Sequence, residues 1–191
     1  MLINVHDFEA VAAHKLSQAA YDYYRGGARD EISLRRNREA YGQYAVHYKV
    51  LAGVAQVDLA TTVLGMPVGM PILAAPTAFH GMADAGAEAA SARAVTAEQS
   101  IFILSTLSNT PIEQVVQQAS GPVLFQLYVY KDRGVTRDLV QRAEAAGARA
   151  LVVTVDAPVL AVREKDSRNH FTLPPGLVLA NLTGTGKETL E

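Results

Sequence analysis

Apolar and polar positions fall into two regimes along the 191-residue chain. Over 7–25, apolar side chains recur at Phe8, Val11, Leu16, Ala19, Ala20 and Tyr23, close to a helical period. Asp7 stands where a cap is needed and Gly26 and Gly27 where a helix stops, so a helix is predicted over 7–25. A more polar helix is predicted over 29–41, and 46–68 reads as extended or irregular. From Pro71 the rhythm changes. The apolar runs PILAAP (71–76), SIFILST (100–106), GPVLFQLYVY (121–130) and RALVVTVDAP (149–158) alternate with helical stretches over 85–98, 111–118 and 132–146. Short apolar runs separated by helices predict parallel strands covered on both faces and joined by helical crossovers. After Pro158 no fifth strand is completed. Residues 159–191 are mixed: a charged segment REKDSRNHF (163–171), a Pro-Pro-Gly turn and a polar tail.

Each apolar run ends in small or polar residues. The first ends in Pro76, Thr77 and Ala78, the second in Ser105 and Thr106, the third in Gln126 and Tyr128, the fourth in Thr154 and Asp156. Capping of the following helices accounts for Ser, Thr and Asp at such places. It does not account for a Gln and a Tyr two residues apart inside an otherwise apolar strand. Those two share one face. In parallel βα arrays the carboxyl ends of the strands are where ligands sit, and neutral donors there suit a heteroaromatic ring.

Composition narrows the partners. The chain is 49% hydrophobic and 19% charged, with a formal net charge of −2. No basic stripe is present, so nucleic acid is not an expected partner. With no cysteine, a disulfide scaffold and a thiolate metal site are both excluded, and no metal site is expected. MLINVHDFEAV lacks the basic start and apolar run of a secretory signal. No stretch reaches the roughly 18 apolar residues that span a bilayer. A cytoplasmic protein is expected, with membrane association not indicated. The tail GTGKET (184–189) fails as a phosphate loop: the required glycine would fall at Asn181, the hydroxyl residue at Glu188, and no strand precedes it.

Five strings in order then carry a resemblance: YDYYRGGARDEISLRRN (21–37), LAAPTAFHGMA (73–83), FQLYVYKDR (125–133), LVVTVDAPVLAVRE (151–164) and RNHFTLPPGL (168–177). Together they resemble the FMN-dependent 2-hydroxy-acid oxidase family of glycolate oxidases, lactate oxidases and flavocytochrome-type lactate dehydrogenases. The resemblance runs from residue 4 to residue 182. It implies an α/β fold, the N-terminal half of a (β/α)8 TIM barrel with about four parallel βα units preceded by two helices. The expected organisation is a helical lead-in over 1–70, the first half of the barrel over 71–158, and a loop segment with a truncated end over 159–191. No haem domain is expected, because the chain starts almost directly at the first helix.

The resemblance also implies roles. FMN is the cofactor, with Pro76, Thr77 and Ala78 along the flavin ring and Ser105, Gln126 and Thr154 hydrogen-bonding its edge. Tyr23 and Arg163 match the groups that bind the substrate carboxylate, a task suited to the planar fork of arginine. Tyr128 matches a substrate-side phenol that stabilises charge on oxygen. Asp156 matches the aspartate that orients the catalytic histidine. That histidine belongs to the half not represented here; His6, His14, His47, His80 and His170 stand at none of the base's positions. The implied reaction oxidises a small L-2-hydroxy acid to the 2-oxo acid, as part of a full-length enzyme. Where glycolate oxidases typically carry Trp, two residues after Ser105, this chain has Leu107, and a lactate-like or bulkier substrate is expected. The expected partners are that substrate and either further copies of the chain or a complementing C-terminal half. The rival readings are a catalytically inactive truncated half-barrel serving only assembly, and another βα-barrel enzyme. The YDYY helix and the QLY and TVD strand ends speak against the latter.

Overall fold

The computed structural model describes residues 1–157 and 159–186. The tail motif at 184–189 therefore lies partly outside the described residues. The chain divides into two compact units, one formed by Met1–Val57 with residues 159–172, the other by Asp58–Ala157 with residues 173–186.

In the first unit the helix predicted over 7–25 is two helices, α1 (Asp7–Lys15) and α2 (Gln18–Arg25). Ser17 makes the break. Its backbone is extended, and its side chain accepts a hydrogen bond from Ala20 N, which starts a new helix. α3 (Ile32–Glu39) matches the second predicted helix and runs on into a 3-10 turn over Ala40–Gln43. A short helix, α7 (Glu164–Arg168), packs against α2.

The second unit holds the sheet. Residues 61–68, expected only to be extended, form a hairpin of β1 (Thr61–Val63) and β2 (Met66–Val68). Its two turn residues, Leu64 and Gly65, have φ of 51° and 74°. A two-residue loop with both φ positive matches the twist of the flanking strands, and glycine adopts that conformation without steric cost. The parallel part follows the predicted alternation: β3 (Phe102–Leu104), β4 (Val123–Leu127) and β5 (Leu151–Val153), separated by α5 (Ile112–Gln118) and α6 (Arg133–Ala146), with α4 (Ala87–Ala97) before β3. Strands β3, β4 and β5 pair in sequence order and all in parallel. The first predicted strand is reduced to one parallel bridge, Ala74 to Phe102.

Every residue of β4 is buried, which is why it reads as a continuous apolar run. Alternation divides its two faces. Leu124 packs with Met66 and Val68 of the hairpin and with Ile101, so the hairpin closes the amino end of that face. Gln126 and Tyr128 continue the same face toward the carboxyl end. On α6, Val135, Leu139 and Ala143 are buried at helical spacing, and Asp132 caps the helix by accepting from Gly134 N at 2.8 Å. β5 is the outermost strand among the described residues, and its Leu151 and Val153 are 41% and 47% exposed. No helix among the described residues is long and apolar enough to cross a membrane.

Leu139 is the load on α6 that is simplest to remove, being 1% exposed. Leu139→Ala is expected to lower the unfolding free energy of the chain by about 3 kcal/mol, through lost transfer energy and the cavity left behind. Urea denaturation followed by circular dichroism measures it; a loss below about 1 kcal/mol would mean that α6 is not packed as described.

Candidate active site

The carboxyl ends of the three parallel strands meet at one side chain. Gln126 sits in β4 and is 3% exposed. Its Oε1 accepts from Thr106 N at 3.0 Å and from Ser105 Oγ at 3.4 Å, both just beyond β3. Its Nε2 donates to Thr154 Oγ1 at 2.8 Å, just beyond β5. One amide thus spans three neighbouring strands. Thr106 Oγ1 donates to the Gln126 carbonyl, and Ser105 Oγ also accepts from Leu107 N at 3.1 Å. Ser105 and Thr106 are buried, while Thr154 is only half-buried. Tyr128, on the Gln126 face, is half-buried as well. Asp156 lies past the end of β5 and is exposed.

The segment Pro76, Thr77 and Ala78 leaves the end of the first run, with Thr77 exposed. It is held from its far side. Phe79, buried and with φ of 63°, donates its N–H to Leu107 O at 3.2 Å. His80 Nδ1 and Ser91 Oγ are hydrogen-bonded at 2.8 Å, and the imidazole ring meets Phe102 edge-on. Burial pushes the His80 pKa down, against opposing contributions from the Glu88 charge and a hydrogen bond to the Thr77 backbone. The bonds of His80 are those of a side chain that braces the loop.

The predicted carboxylate-binding pair lies in the first unit. The Arg163 guanidinium stands over the Tyr23 ring, 4.7 Å from its centroid. Phe171 stacks on Tyr23 at 4.8 Å, and Tyr24 meets it edge-on at 5.5 Å. Arg163 Nη2 donates to the carbonyls of Tyr23 and Gly26, and Nε lies 3.1 Å from Asp166. Burial raises the Asp166 carboxyl, and the Asp22 charge adds to this while Arg163 opposes it. Asn169 donates to Asp22 at 2.8 Å, the main cause of the lowered Asp22 pKa. The structure therefore joins two strings that the sequence keeps about 140 residues apart, the YDYY helix and the segment from Arg163 to Phe171.

Sequence reasoning gave a cofactor role to Ser105 and none to Thr106, which makes two bonds to Gln126 against one from Ser105 and is fully buried. It also passed over Asn109 and Asn181. Asn181 Oδ1 accepts from Ile112 N at 2.9 Å and its Nδ2 donates to Ser108 Oγ at 2.8 Å, so the chain after 173 is fastened to the loop following β3. The available signal was four polar residues, Ser105, Thr106, Ser108 and Asn109, interrupted only by Leu107 directly after an apolar strand, more than a cap alone requires. No cluster of His, Cys, Asp or Glu suited to a metal ion occurs among the described residues.

Three parallel strands whose carboxyl ends carry a hydroxyl, an amide and a second hydroxyl in one bonded row present them at the rim where βα arrays hold their ligands. These neutral donors and acceptors fit the edge of a heteroaromatic cofactor better than a phosphate or a metal. Comparison with known proteins makes the class specific. The sequence profile described as FMN-dependent dehydrogenase matches residues 12–189, and the chain belongs to that family. Its cofactor is FMN, and its fold is a TIM barrel of which this chain carries part. The chain is 49% identical over 185 residues to an L-lactate oxidase of Nostoc sp., covering 95% of this chain and 51% of that protein. It is 46% identical over 183 residues to glycolate oxidase 1 of Zea mays, covering 96% and 50%. Among solved structures, a soluble mutant of the membrane-associated (S)-mandelate dehydrogenase from Pseudomonas putida superposes with a TM-score of 0.92 at 38% identity, covering 96% of this chain and 52% of that one. The chain spans about half the length of the relatives it matches.

His80 is expected to titrate below its ordinary value of 6.5, because burial disfavours the charged ring. The unfolded chain then takes up the proton first. The stability His80 contributes is complete above about pH 6.5 and is lost as pH falls through the depressed folded value. Proton NMR titration of the imidazole resonances measures the shift. His80→Gln should remove this part of the acid slope in denaturation experiments, and an unshifted His80 resonance would contradict the buried, braced ring.

Proposed function

We propose that this chain supplies the flavin-binding strand ends, and part of the substrate-handling groups, of an FMN-dependent enzyme that oxidises a small L-2-hydroxy acid to the 2-oxo acid. The observation that carries this reading is the buried Gln126 amide bonded across to Ser105 and Thr106 on one side and Thr154 on the other. Ser105, Gln126 and Thr154 are assigned to the edge of the flavin ring, and Pro76, Thr77 and Ala78 to its face. FMN, when bound, supplies the acceptor for the two electrons that leave the substrate. Tyr23 and Arg163 bind the substrate carboxylate; the cation–π contact and the carbonyl bonds hold the guanidinium plane, so its orientation is set before substrate arrives. Tyr128 donates to the substrate oxygen. Asp156 holds the tautomer of a histidine from the second half and stabilises the imidazolium once the substrate proton has moved to it.

The second half is also the assigned partner of the open strand. A parallel edge with Leu151 and Val153 about half-exposed is a place where another strand adds. Whether supplied on one polypeptide or as a separate chain, a C-terminal half with four further βα units completes the barrel under this reading.

Leu107 is assigned to substrate choice. Its backbone is fixed by bonds to Ser105 Oγ and Phe79 N, and a leucine there leaves more room than the tryptophan of glycolate oxidases. A methyl group more or less in an apolar pocket is worth about tenfold or somewhat more in kcat/KM.

The test joins this chain to the C-terminal half of the Nostoc L-lactate oxidase. The joined protein should keep a yellow flavin spectrum through desalting and oxidise L-lactate about tenfold better than glycolate. Gln126→Leu in it should lose flavin, since Thr106 N then faces an apolar group. Leu107→Trp should move the preference toward glycolate. A folded but colourless joined protein would refute the cofactor assignment, and a tenfold preference for glycolate would refute the substrate assignment.

A further inference from the structure

Glu88 is a carboxylate in an unusual position. It lies in the first turn of α4, its side chain is 0% exposed, and no ion pair with lysine or arginine reaches it among the described residues. An ionisable group is seldom fully buried unless it is paired or fully hydrogen-bonded. Glu88 is hydrogen-bonded. Oε1 accepts from His80 N at 3.0 Å and from Asn109 N at 3.0 Å, and Oε2 accepts from Thr110 Oγ1 at 2.9 Å. The macrodipole of α4 favours negative charge at this end of the helix.

The donors come from two different loops. His80 belongs to the loop after the first apolar run, two residues beyond Ala78. Asn109 and Thr110 belong to the loop after β3, a few residues beyond Ser105. A single oxygen atom receives one amide from each, so the loops cannot separate without breaking a bond to it. Two further bonds close the same seam: Gly81 N donates to Asn109 Oδ1 at 3.1 Å, and Phe79 N to Leu107 O at 3.2 Å. Side-chain bonds alone would tolerate drift. Backbone amides bonded to a buried carboxylate fix the course of the chain itself.

We propose that Glu88 is a positioning residue that latches these two loops, setting the place of Pro76–Ala78 relative to Ser105. The role rests on the assignment of those residues to FMN. Glu88 touches no cofactor; it acts through the two backbones it holds. Glutamine can stand in for it, because an amide keeps the one oxygen that serves both N–H groups while the Thr110 hydroxyl turns to accept. Leucine cannot, and aspartate falls one methylene short.

The test compares Glu88→Leu and Glu88→Gln by two readouts. Amide hydrogen exchange in the 191-residue chain should rise at least about tenfold at His80 and Asn109 in Glu88→Leu, the effect of losing a buried bond. The Phe125 amide within the sheet should stay protected, and Glu88→Gln should restore both loop amides. In the joined protein, Glu88→Leu should weaken FMN binding about tenfold and displace the visible flavin bands, with Glu88→Gln close to the parent. If Glu88→Leu does not fold, Glu88→Asp serves in both readouts, with the same sense. Unchanged exchange at both amides would overturn the latch. Raised exchange with unchanged flavin binding and spectrum would overturn its positioning role. A parent joined protein without flavin would sink the cofactor assignment on which the role rests, and that result is distinct because it precedes any change at Glu88.

Discussion

The second unit depends on burying an amide where the sequence pattern calls for an aliphatic side chain. Gln126 lies in the only strand buried over its full length among the described residues, and every partner it needs comes from the strands on either side. Leaving a polar group of this kind unsatisfied costs about 1–3 kcal/mol. The energetic penalty enforces geometry. β3, β4 and β5 must end at the same level for Thr106, Gln126 and Thr154 to meet. Once they do, their loops leave the sheet from one common rim. The parallel register, with Leu104 opposite Phe125 and Gln126 opposite Val152, is consistent with that rim.

Around it the polar contacts form a second layer. Asn109 joins the first loop to the chain after 173, through Gly81 N on one side and the Val178 carbonyl on the other. Asn181 joins the same returning chain to Ser108 and to the start of α5. Arg142 on α6 donates to the Asn181 carbonyl at 2.8 Å and pairs with Glu113 on α5, which holds the Glu113 carboxyl below its usual range. Helices, loops and returning chain are thus referred to the same few buried polar atoms, above an apolar cluster of Met66, Val68, Ile101 and Leu124.

The alternation of apolar runs and helical stretches was legible because it follows from burial on both faces, as in β4. The polar strand ends were legible because Gln126 has no place in an apolar run except as a bonded group. The break at Ser17 was not. An apolar period continues through Leu16 and Ala19, and only the local choice of an extended serine backbone divides the helix. The hairpin at 61–68 was missed because each strand is three residues long, too short to show a period, and its turn residue Leu64 gives no signal. Glu88 was hidden among alanines, where a lone charge on a helix reads as solvated. The contact of Tyr23 with Arg163 was out of reach of pattern altogether, since it joins segments far apart in sequence; only the resemblance of both to one family linked them.

The hairpin has a consequence for how the protein is made. It stands before all the parallel strands in the chain, yet Met66 and Val68 pack against Ile101 and Leu124. During synthesis the residues of this floor therefore leave the ribosome before the strands that pack on them. Contacts at sequence separations of tens of residues close sooner than pairings across a whole barrel. A nascent chain that has passed Leu124 already holds the four buried residues of this apolar cluster, Met66, Val68, Ile101 and Leu124, and only Ala150 and Val152 at its margin are still to come.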